Sequence, residues 1–464
     1  MGMTRKPHLL FHPRHVLSFR HRTVAALLMA TSIVLLLVGG SMLTFLLTRP
    51  PDHNKPVLSR QIMAPVAGPE AHTITMLGQH YMHALVQGDS QKVWSMLSPQ
   101  EQAHWHHAAA FGTYLKARFA DYHLQGFTLG QVTIRPFWVN PETMERFDQV
   151  YQLPTSLLMN VQLPPDQLRQ LAPPFQQPDQ LFQQIPLLLQ RIPGVPAHGV
   201  RWRLLNAGPA DIEAPMLPPI HPMRRIVKVP ILMYHHVSDI PPQNVLDRSL
   251  TVSETLFRHQ LDVLTAKGFQ SITLNQLMAA LYYQVALPPK PVILTFDDGY
   301  DDAYFSAYPL LKAHGFSGMF YIITGKVGWR GQATWSQLRD MLDHGMQMGS
   351  HTIHHVDMGS TYVTSKLQAE QEAHISQHML QQNLHTIIQH FCYPNGGPFK
   401  GSNRSLQQAV VALLASTGYI DATTDPGPTG IIQSSQAPFA LLRLRIDGRF
   451  SLPFFENTIQ TDTT

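Results

Sequence analysis

The chain has 464 residues, with 34 Lys and Arg against 30 Asp and Glu, a formal net charge of +4 and a single cysteine. The length allows about three domains, and one cysteine excludes an intrachain disulfide framework and a Cys-based zinc cluster. Five cations and no acid precede residue 23. The excess positive charge therefore belongs mainly to a tail, which argues against a nucleic-acid partner.

The N-terminal part of the chain is predicted to be a membrane anchor. Residues 1–22 form a basic cytoplasmic tail, and residues 23–48 carry no charge and are rich in Leu, Val, Met and Ala. That run is long enough to cross a bilayer as a helix. The alternative is a cleaved signal peptide, whose apolar core is normally shorter. Because a basic flank is retained in the cytoplasm, we expect a single-pass cell-membrane protein whose chain after Arg49 is extracytoplasmic.

Two Pro-rich stretches, residues 49–71 and 216–228, are predicted to be linkers. Between them, residues 72–215 begin with helical spacing and continue with short alternating runs such as Val200–Leu205, which predicts a small α+β domain. Its opening loosely resembles the NTF2-like fold. The Gln- and Pro-rich residues 164–198 are predicted to be a long excursion within this domain.

Residues 229–464 alternate strand and helix signals, which predicts a parallel sheet with helices outside it. The predicted strands are 230–234, 270–273, a central strand near 292, 318–323, 346–350, one ending at 393, 418–423 and 441–446. The predicted helices are 253–267, one ending at 314, 334–344, 365–383 and 402–417. The motifs described next all fall at carboxyl ends of strands, where barrel active sites collect.

The stretch Pro291–Tyr300 carries the chemistry. Its first four residues are apolar and predict a buried strand, and Gly299 marks the turn at the end of that strand. Asp297 and Asp298 therefore follow a core strand, where neighbouring side chains can converge on one pocket. Paired acids at such a position are costly unless a cation or a proton separates their charges.

His351 and His355, four residues apart, are candidate partners for that cation. One Asp and two His would make a three-ligand site with an open position, as a catalytic metal needs in order to hold a water. Zinc is the expected ion, although an Asp-His-His set also accepts other divalent ions.

Thr295–Gly299 followed by His351–His355 resembles the paired signature of the polysaccharide deacetylases, the NodB homology domain of carbohydrate esterase family 4. Further matches are Val229–Val237 and Phe391–Gly396, so the resemblance runs from about residue 228 to the C-terminus. It implies an α/β fold, a distorted (β/α) barrel of about seven strands, here preceded by a transmembrane helix and a small α+β domain. The predicted deacetylase domain is 229–464.

The resemblance also implies roles for single residues. Asp298, His351 and His355 are expected to be the metal ligands, and Asp297 the general base. A carboxylate on the metal has its charge neutralised, which leaves its neighbour free to accept a proton. The metal is expected to polarise the acetyl carbonyl, and the backbone N–H of Tyr393 is expected to be the donor of the oxyanion site.

The general acid departs from the commonest layout of the family, because no histidine follows His390. The strand before the metal motif resembles a circularly permuted, poly-N-acetylglucosamine-deacetylase-like branch, in which the first strand supplies that histidine. His235 is therefore the expected acid, with His236 as the alternative. Arg443 and Arg445 are candidates to orient the base or to contact substrate, or they are ordinary surface cations.

Together these residues predict a membrane-anchored, metal-dependent hydrolase that removes N-acetyl groups from an extracytoplasmic amino-sugar polysaccharide. Candidate polymers are poly-N-acetylglucosamine, peptidoglycan and chitin-like chains, and the permuted branch favours the first by analogy. Two alternatives stay open: an inactive carbohydrate-binding module, and a metal-dependent hydrolase of another non-peptide C–N bond.

Overall fold

The structure is a computed structural model that describes residues 63–161, 180–192, 201–205, 216–219, 222–424 and 429–459. The predicted cytoplasmic tail and transmembrane anchor lie outside the described residues. Among the residues that are described, no helix combines the length and apolar character that crossing a membrane requires.

In the first described region the helices precede every strand except the two-residue β1. Its helices are α1 (Pro69–Val86), α2 (Ser90–Ser95), α3 (Pro99–Trp105) and α4 (Ala108–Arg118). Its strands are β1 (Ala64–Pro65), β2 (Tyr122–Leu129), β3 (Thr133–Val139), β4 (Arg146–Leu153), β5 (Thr155–Val161), β6 (Gln180–Gln184), β7 (Leu187–Ile192) and β8 (Arg201–Leu204). They form two antiparallel sheets, in the orders β1-β3-β4-β7-β8 and β2-β5-β6. The NTF2-like resemblance of this region stays a prediction.

The predicted excursion over residues 164–198 is wrong where the structure describes it, because β6 and β7 lie within it. β6 pairs with β5, and β7 pairs with both β4 and β8. The run Leu187–Leu189 is buried in the sheet core. Composition was misleading here, because Gln and Pro around a short apolar run do not prevent that run from pairing once a neighbouring strand buries it.

The described part of the predicted second linker is packed rather than free. Met216 and Leu217 are buried. The Met216 N–H donates to Gln389 Oε1 at 2.7 Å, and the Gln389 amide donates back to the Met216 carbonyl at 3.0 Å. The Tyr114 and Tyr283 rings, one from each region, lie 5.9 Å apart. All described residues accordingly belong to one compact unit.

The second region is built on a curled parallel sheet. Its strands are β9 (Ile226–Lys228), β10 (Ile231–Tyr234), β11 (His236–Val237), β12 (Thr251–Val252), β13 (Gln270–Ser271), β14 (Pro291–Phe296), β15 (Met319–Ile322), β16 (Gln347–Ser350), β17 (His390–Cys392), β18 (Asp421–Thr423), β19 (Ile432–Ser434) and β20 (Leu444–Arg445). Seven of them follow the order β18-β17-β16-β15-β14-β10-β20, and every pairing along that path is parallel. A parallel bridge from Thr423 to Leu441 brings β18 close to the start of β20, so the sheet curls towards closure. This confirms the predicted α/β fold, and the seven strands form a curled half-barrel where a distorted barrel of about seven strands was predicted.

Helices cover the outside of this sheet. They are α5 (Val245–Leu250), α6 (Glu254–Ala266), α7 (Leu274–Tyr283), α8 (Tyr308–Ala313), α9 (Trp335–Asp343), α10 (Met358–Thr364), α11 (Lys366–Leu384), α12 (Arg404–Ser416) and α13 (Leu452–Thr458). Ser253 caps the start of α6, since its hydroxyl accepts from the Leu256 N–H at 3.1 Å. Sequence analysis missed α7, because nearly all of its residues are buried, and a helix that is buried on all sides leaves no polar face to reveal its period.

Candidate functional site

The carboxyl ends of the parallel strands bring the predicted site residues together. β14 is buried along its whole length, which fixes the two aspartates that follow it. Asp298 has φ 74°, a left-handed conformation that is uncommon for a non-glycine residue. This turn lets the side chains of Asp297 and Asp298 point into separate surroundings, although the two residues are neighbours in sequence and both are buried.

Asp298 faces two histidines from the end of β16. Asp298 Oδ1 lies 3.4 Å from His351 Nε2 and 3.1 Å from His355 Nε2. One ligand atom of each residue lies within 4.8 Å of the other two. Burial would raise the pKa of Asp298, but the two imidazoles beside it outweigh burial and hold that pKa below its usual range.

The tautomer of His351 is set by a backbone carbonyl. His351 Nδ1 lies 2.9 Å from the Cys392 carbonyl oxygen. Because a carbonyl oxygen can only accept, Nδ1 must carry a hydrogen, which leaves Nε2 as the ring nitrogen that faces Asp298 and is available to a cation. This is the usual support of a metal-binding histidine.

These three side chains fit a divalent cation. Asp298 Oδ1 is buried and accepts no hydrogen bond of good geometry from any described residue. A carboxylate oxygen left in that condition carries a desolvation penalty, which a cation would remove. One carboxylate and two neutral imidazoles are also the ligand types of an open catalytic zinc site.

A second group of three donors, Asp297, His351 and Cys392, also clusters within 4.8 Å. Both oxygens of Asp297 accept hydrogen bonds from the Arg443 guanidinium, each at 2.8 Å. Cys392 Sγ lies 3.2 Å from the same guanidinium. A metal ion between these donors would face a buried positive charge, so the group containing Asp298 and His355 is the better cation site.

Arg443 is the largest fully buried side chain among the described residues. Besides Asp297, it donates to the Thr424 carbonyl at 3.0 Å and to the Thr295 hydroxyl at 3.1 Å. Burial would raise the pKa of Asp297, but Arg443 opposes it and the pKa lies below the ordinary value. Arg445, the other candidate, instead donates to the Ser249 hydroxyl at 3.2 Å.

The two candidate acids at the end of β10 have different surroundings. His235 lies close enough to Asp297 and Asp298 for their charges to act on it, while burial lowers its pKa. Its ring makes no hydrogen bond with any described residue. His236 Nδ1 instead lies 2.6 Å from Asp302 Oδ2, and its ring stacks on Tyr300 at 3.7 Å. The geometry favours His235, because its imidazole is uncommitted and beside the site.

The predicted oxyanion donor, the backbone N–H of Tyr393, makes a hydrogen bond within the sheet. The Tyr393 N–H, which was expected to be available to an acetyl oxygen, donates to the Thr423 carbonyl at 3.2 Å within the sheet. The register of β17 against β18 causes this, since it places the Thr423 carbonyl beside that N–H. Tyr393 would have to release this bond before it could contact substrate.

Sequence analysis missed one support of the site. Glu372, on α11, is buried behind the turn that carries His351 and His355. The sequence does contain a sign that Glu372 is buried. Glu372 lies on the same apolar face of its helix as Ala369 and Ala373, and an acid on such a face is buried together with it.

Comparisons with known proteins identify the family of this chain. The family model for polysaccharide deacetylase matches residues 284–418. The Bacillus subtilis protein YxkH, named for the same family, is 30% identical over 220 residues, which cover 47% of this chain and 71% of YxkH. A poly-beta-1,6-N-acetyl-D-glucosamine N-deacetylase of Staphylococcus aureus is 27% identical over 165 residues, covering 32% of this chain and 55% of that protein.

Among solved structures, the Streptococcus pyogenes deacetylase PplD in complex with acetate is 28% identical in sequence and superposes with a TM-score of 0.45, covering 51% of this chain and all of PplD. The chain belongs to the polysaccharide deacetylase family, whose members are carbohydrate esterases acting on N-acetyl C–N bonds.

The two donor groups can be separated by zinc binding. We expect Asp298→Ala to lose bound Zn²⁺, because it removes the carboxylate that faces both histidines of the better site. Cys392→Ala should retain one Zn²⁺ per chain, because its sulfur faces a guanidinium. The measurement is zinc content after dialysis of the purified full chain. Retention by Asp298→Ala together with loss by Cys392→Ala would reverse the assignment.

Proposed function

We propose that the chain is a membrane-anchored, metal-dependent deacetylase that hydrolyses N-acetyl groups of an extracytoplasmic amino-sugar polysaccharide. The observation that carries this proposal is the pairing of two neighbouring aspartates with different partners: Asp298 with two histidines, and Asp297 with a buried arginine. One acid is thereby suited to hold a cation and the other to accept a proton.

The proposed reaction adds water to the acetyl carbon and breaks the C–N bond, releasing acetate and a free amine. Asp298, His351 and His355 would hold the divalent cation, with zinc as the first candidate. Such a cation supplies Lewis acidity and lowers the pKa of water.

Asp297 accepts the proton that the attacking water loses. Its two bonds to Arg443 leave further lone pairs on both oxygens, so the carboxylate remains a base while its position is fixed. His235 donates a proton to the departing amine nitrogen. Burial lowers its pKa, which makes its protonated form a stronger acid towards that nitrogen.

We propose a poly-N-acetylglucosamine exopolysaccharide as the first substrate to test, with peptidoglycan and chitin-like chains next. Relatedness to the staphylococcal enzyme, whose name states that polymer, supports this order. That alignment covers about half of the staphylococcal protein, so polymer choice depends on direct measurement.

The function predicts acetate release from β-1,6-linked N-acetylglucosamine oligomers by the full chain. We expect a chelator to abolish release and added Zn²⁺ to restore it. Asp298→Ala should lower the rate on the order of 100-fold, whereas Asp262→Asn, an exposed acid on α6, should not change it. No release from these oligomers or from peptidoglycan and chitin fragments, despite bound metal, would favour another C–N substrate. Absence of metal binding would favour a binding module.

The role of Asp297 predicts a shift in the pH profile of the Arg443→Met variant. Without the guanidinium, the main opposition to burial is lost and the pKa of Asp297 rises. A base that works only when ionised then requires a higher pH, so the acidic limb of kcat/KM should move up by about 1 to 3 pH units. Arg445→Met is the matched control, because Arg445 bonds Ser249, and its acidic limb should stay in place. An unshifted limb in a folded Arg443→Met variant would contradict the role of Asp297.

We propose that residues 23–48 anchor the protein in the cell membrane, with the later residues extracytoplasmic. The absence of charge in that run and the basic residues before it support this. Substituting Leu36→Arg together with Val38→Arg should move the protein from the membrane to the soluble fraction, because each central arginine costs about 2.5–3.5 kcal/mol of insertion. Val57→Arg with Leu58→Arg is the control and should leave it membrane-bound.

That localisation is checked by cell fractionation and by digestion with external protease. Protection of the C-terminal region from external protease, or a shortened mature chain in the soluble fraction, would overturn the anchor.

A further inference from the structure

The turn that carries His351 and His355 is fastened to α11 by one buried carboxylate. Glu372 Oε2 accepts from the Ile353 N–H at 2.9 Å and from the His354 N–H at 3.0 Å. Its other oxygen, Oε1, lies 2.7 Å from His354 Nδ1. The Glu372 side chain is 4% exposed, so these three bonds take the place of water around its charge.

The backbone of this turn requires such support. Thr352 has φ 64° and His355 has φ 61°, and a β-branched residue in the left-handed region is strained. Strain of this kind persists only where the surroundings hold the backbone in place. Without Glu372, the adjacent N–H groups of Ile353 and His354 would lose their acceptor inside the protein.

A second residue of the same helix fixes the start of the turn. Ser376 is four residues after Glu372, and therefore on the same face of α11. Its hydroxyl lies 2.9 Å from the Ser350 hydroxyl, at the end of β16. Helix α11 thus holds the chain immediately before His351 and again between the two histidines.

We propose that Glu372 is a positioning residue of the metal site, which acts by holding His351 and His355 where both Nε2 atoms face Asp298. The proposal rests on the proposed function, because it assumes that this turn binds the cation. Glu372 would thus contribute to the metal affinity through its hydrogen bonds to the turn, without being a metal ligand itself.

The test is direct metal titration of the full chain carrying Glu372→Gln. The amide has a single acceptor oxygen, and its NH₂ group would face either backbone N–H groups or the His354 ring. We expect the affinity for Zn²⁺ alone to fall by about 10- to 100-fold, as for other outer partners of metal ligands. The visible absorption spectrum of the Co²⁺-loaded protein should change with the ligand geometry, and saturating metal should restore much of kcat.

Glu370→Gln is the matched control, since it makes the same chemical change at an exposed position of the same helix. Its metal affinity and Co²⁺ spectrum should equal those of the unaltered chain. Equal values for a folded Glu372→Gln variant would overturn the proposal. If that variant fails to fold, Glu372→Asp, which retains the carboxylate one methylene shorter, is judged by the same two readouts.

Failure of the proposed function has a different signature in this experiment. If the unaltered chain binds neither Zn²⁺ nor Co²⁺, the metal site itself is wrong. If the unaltered chain binds both and Glu372→Gln binds them equally well, only the role of Glu372 is wrong.

Discussion

The ion pair between Arg443 and Asp297 is the interaction on which the site depends. It joins residues 146 positions apart in sequence, one at the end of the central strand β14 and one beside the last strand β20. The attraction between two buried charges offsets the free-energy cost of their desolvation only when the geometry is good and the remaining donors have hydrogen-bond partners. The bonds of Arg443 to Thr424 and Thr295 meet that condition. The same pair that links the start of β20 to the end of β14 therefore also keeps the proposed base ionised.

This pair also explains how two adjacent carboxylates can be buried together. If both faced one pocket, their mutual repulsion would raise the pKa of one of them. The left-handed turn at Asp298 separates the two, so that Asp297 meets a permanent cation and Asp298 meets two imidazoles. A second left-handed turn, ending at His355, supplies those imidazoles. The site thus requires unusual backbone conformations at two ends of strands, and α11 supports the second of them.

The sequence predicted the parts of the fold that local patterns encode. The apolar run before Asp297 indicates β14, and the spacing of His351 and His355 indicates a shared ligand site. Sequence analysis could not choose between Arg443 and Arg445, because that choice depends on which residue points inward from a short strand paired to a distant one. It missed α7 because burial on every side removes the helical period. It could not show that the Tyr393 N–H donates to the Thr423 carbonyl, because sheet register is a property of two strands together.

The distribution of exposure indicates from which side a substrate reaches the site. Arg443 and Asp297 are almost fully buried, and so is the side chain of His351, whereas 28% of the His355 side chain is exposed. His235 is also partly accessible. Among the described residues of the site, His355 and His235 therefore lie on the accessible side, and the ion pair lies behind them. In that arrangement the proposed base is held by protein alone, while the proposed acid lies on the side from which the free amine would leave.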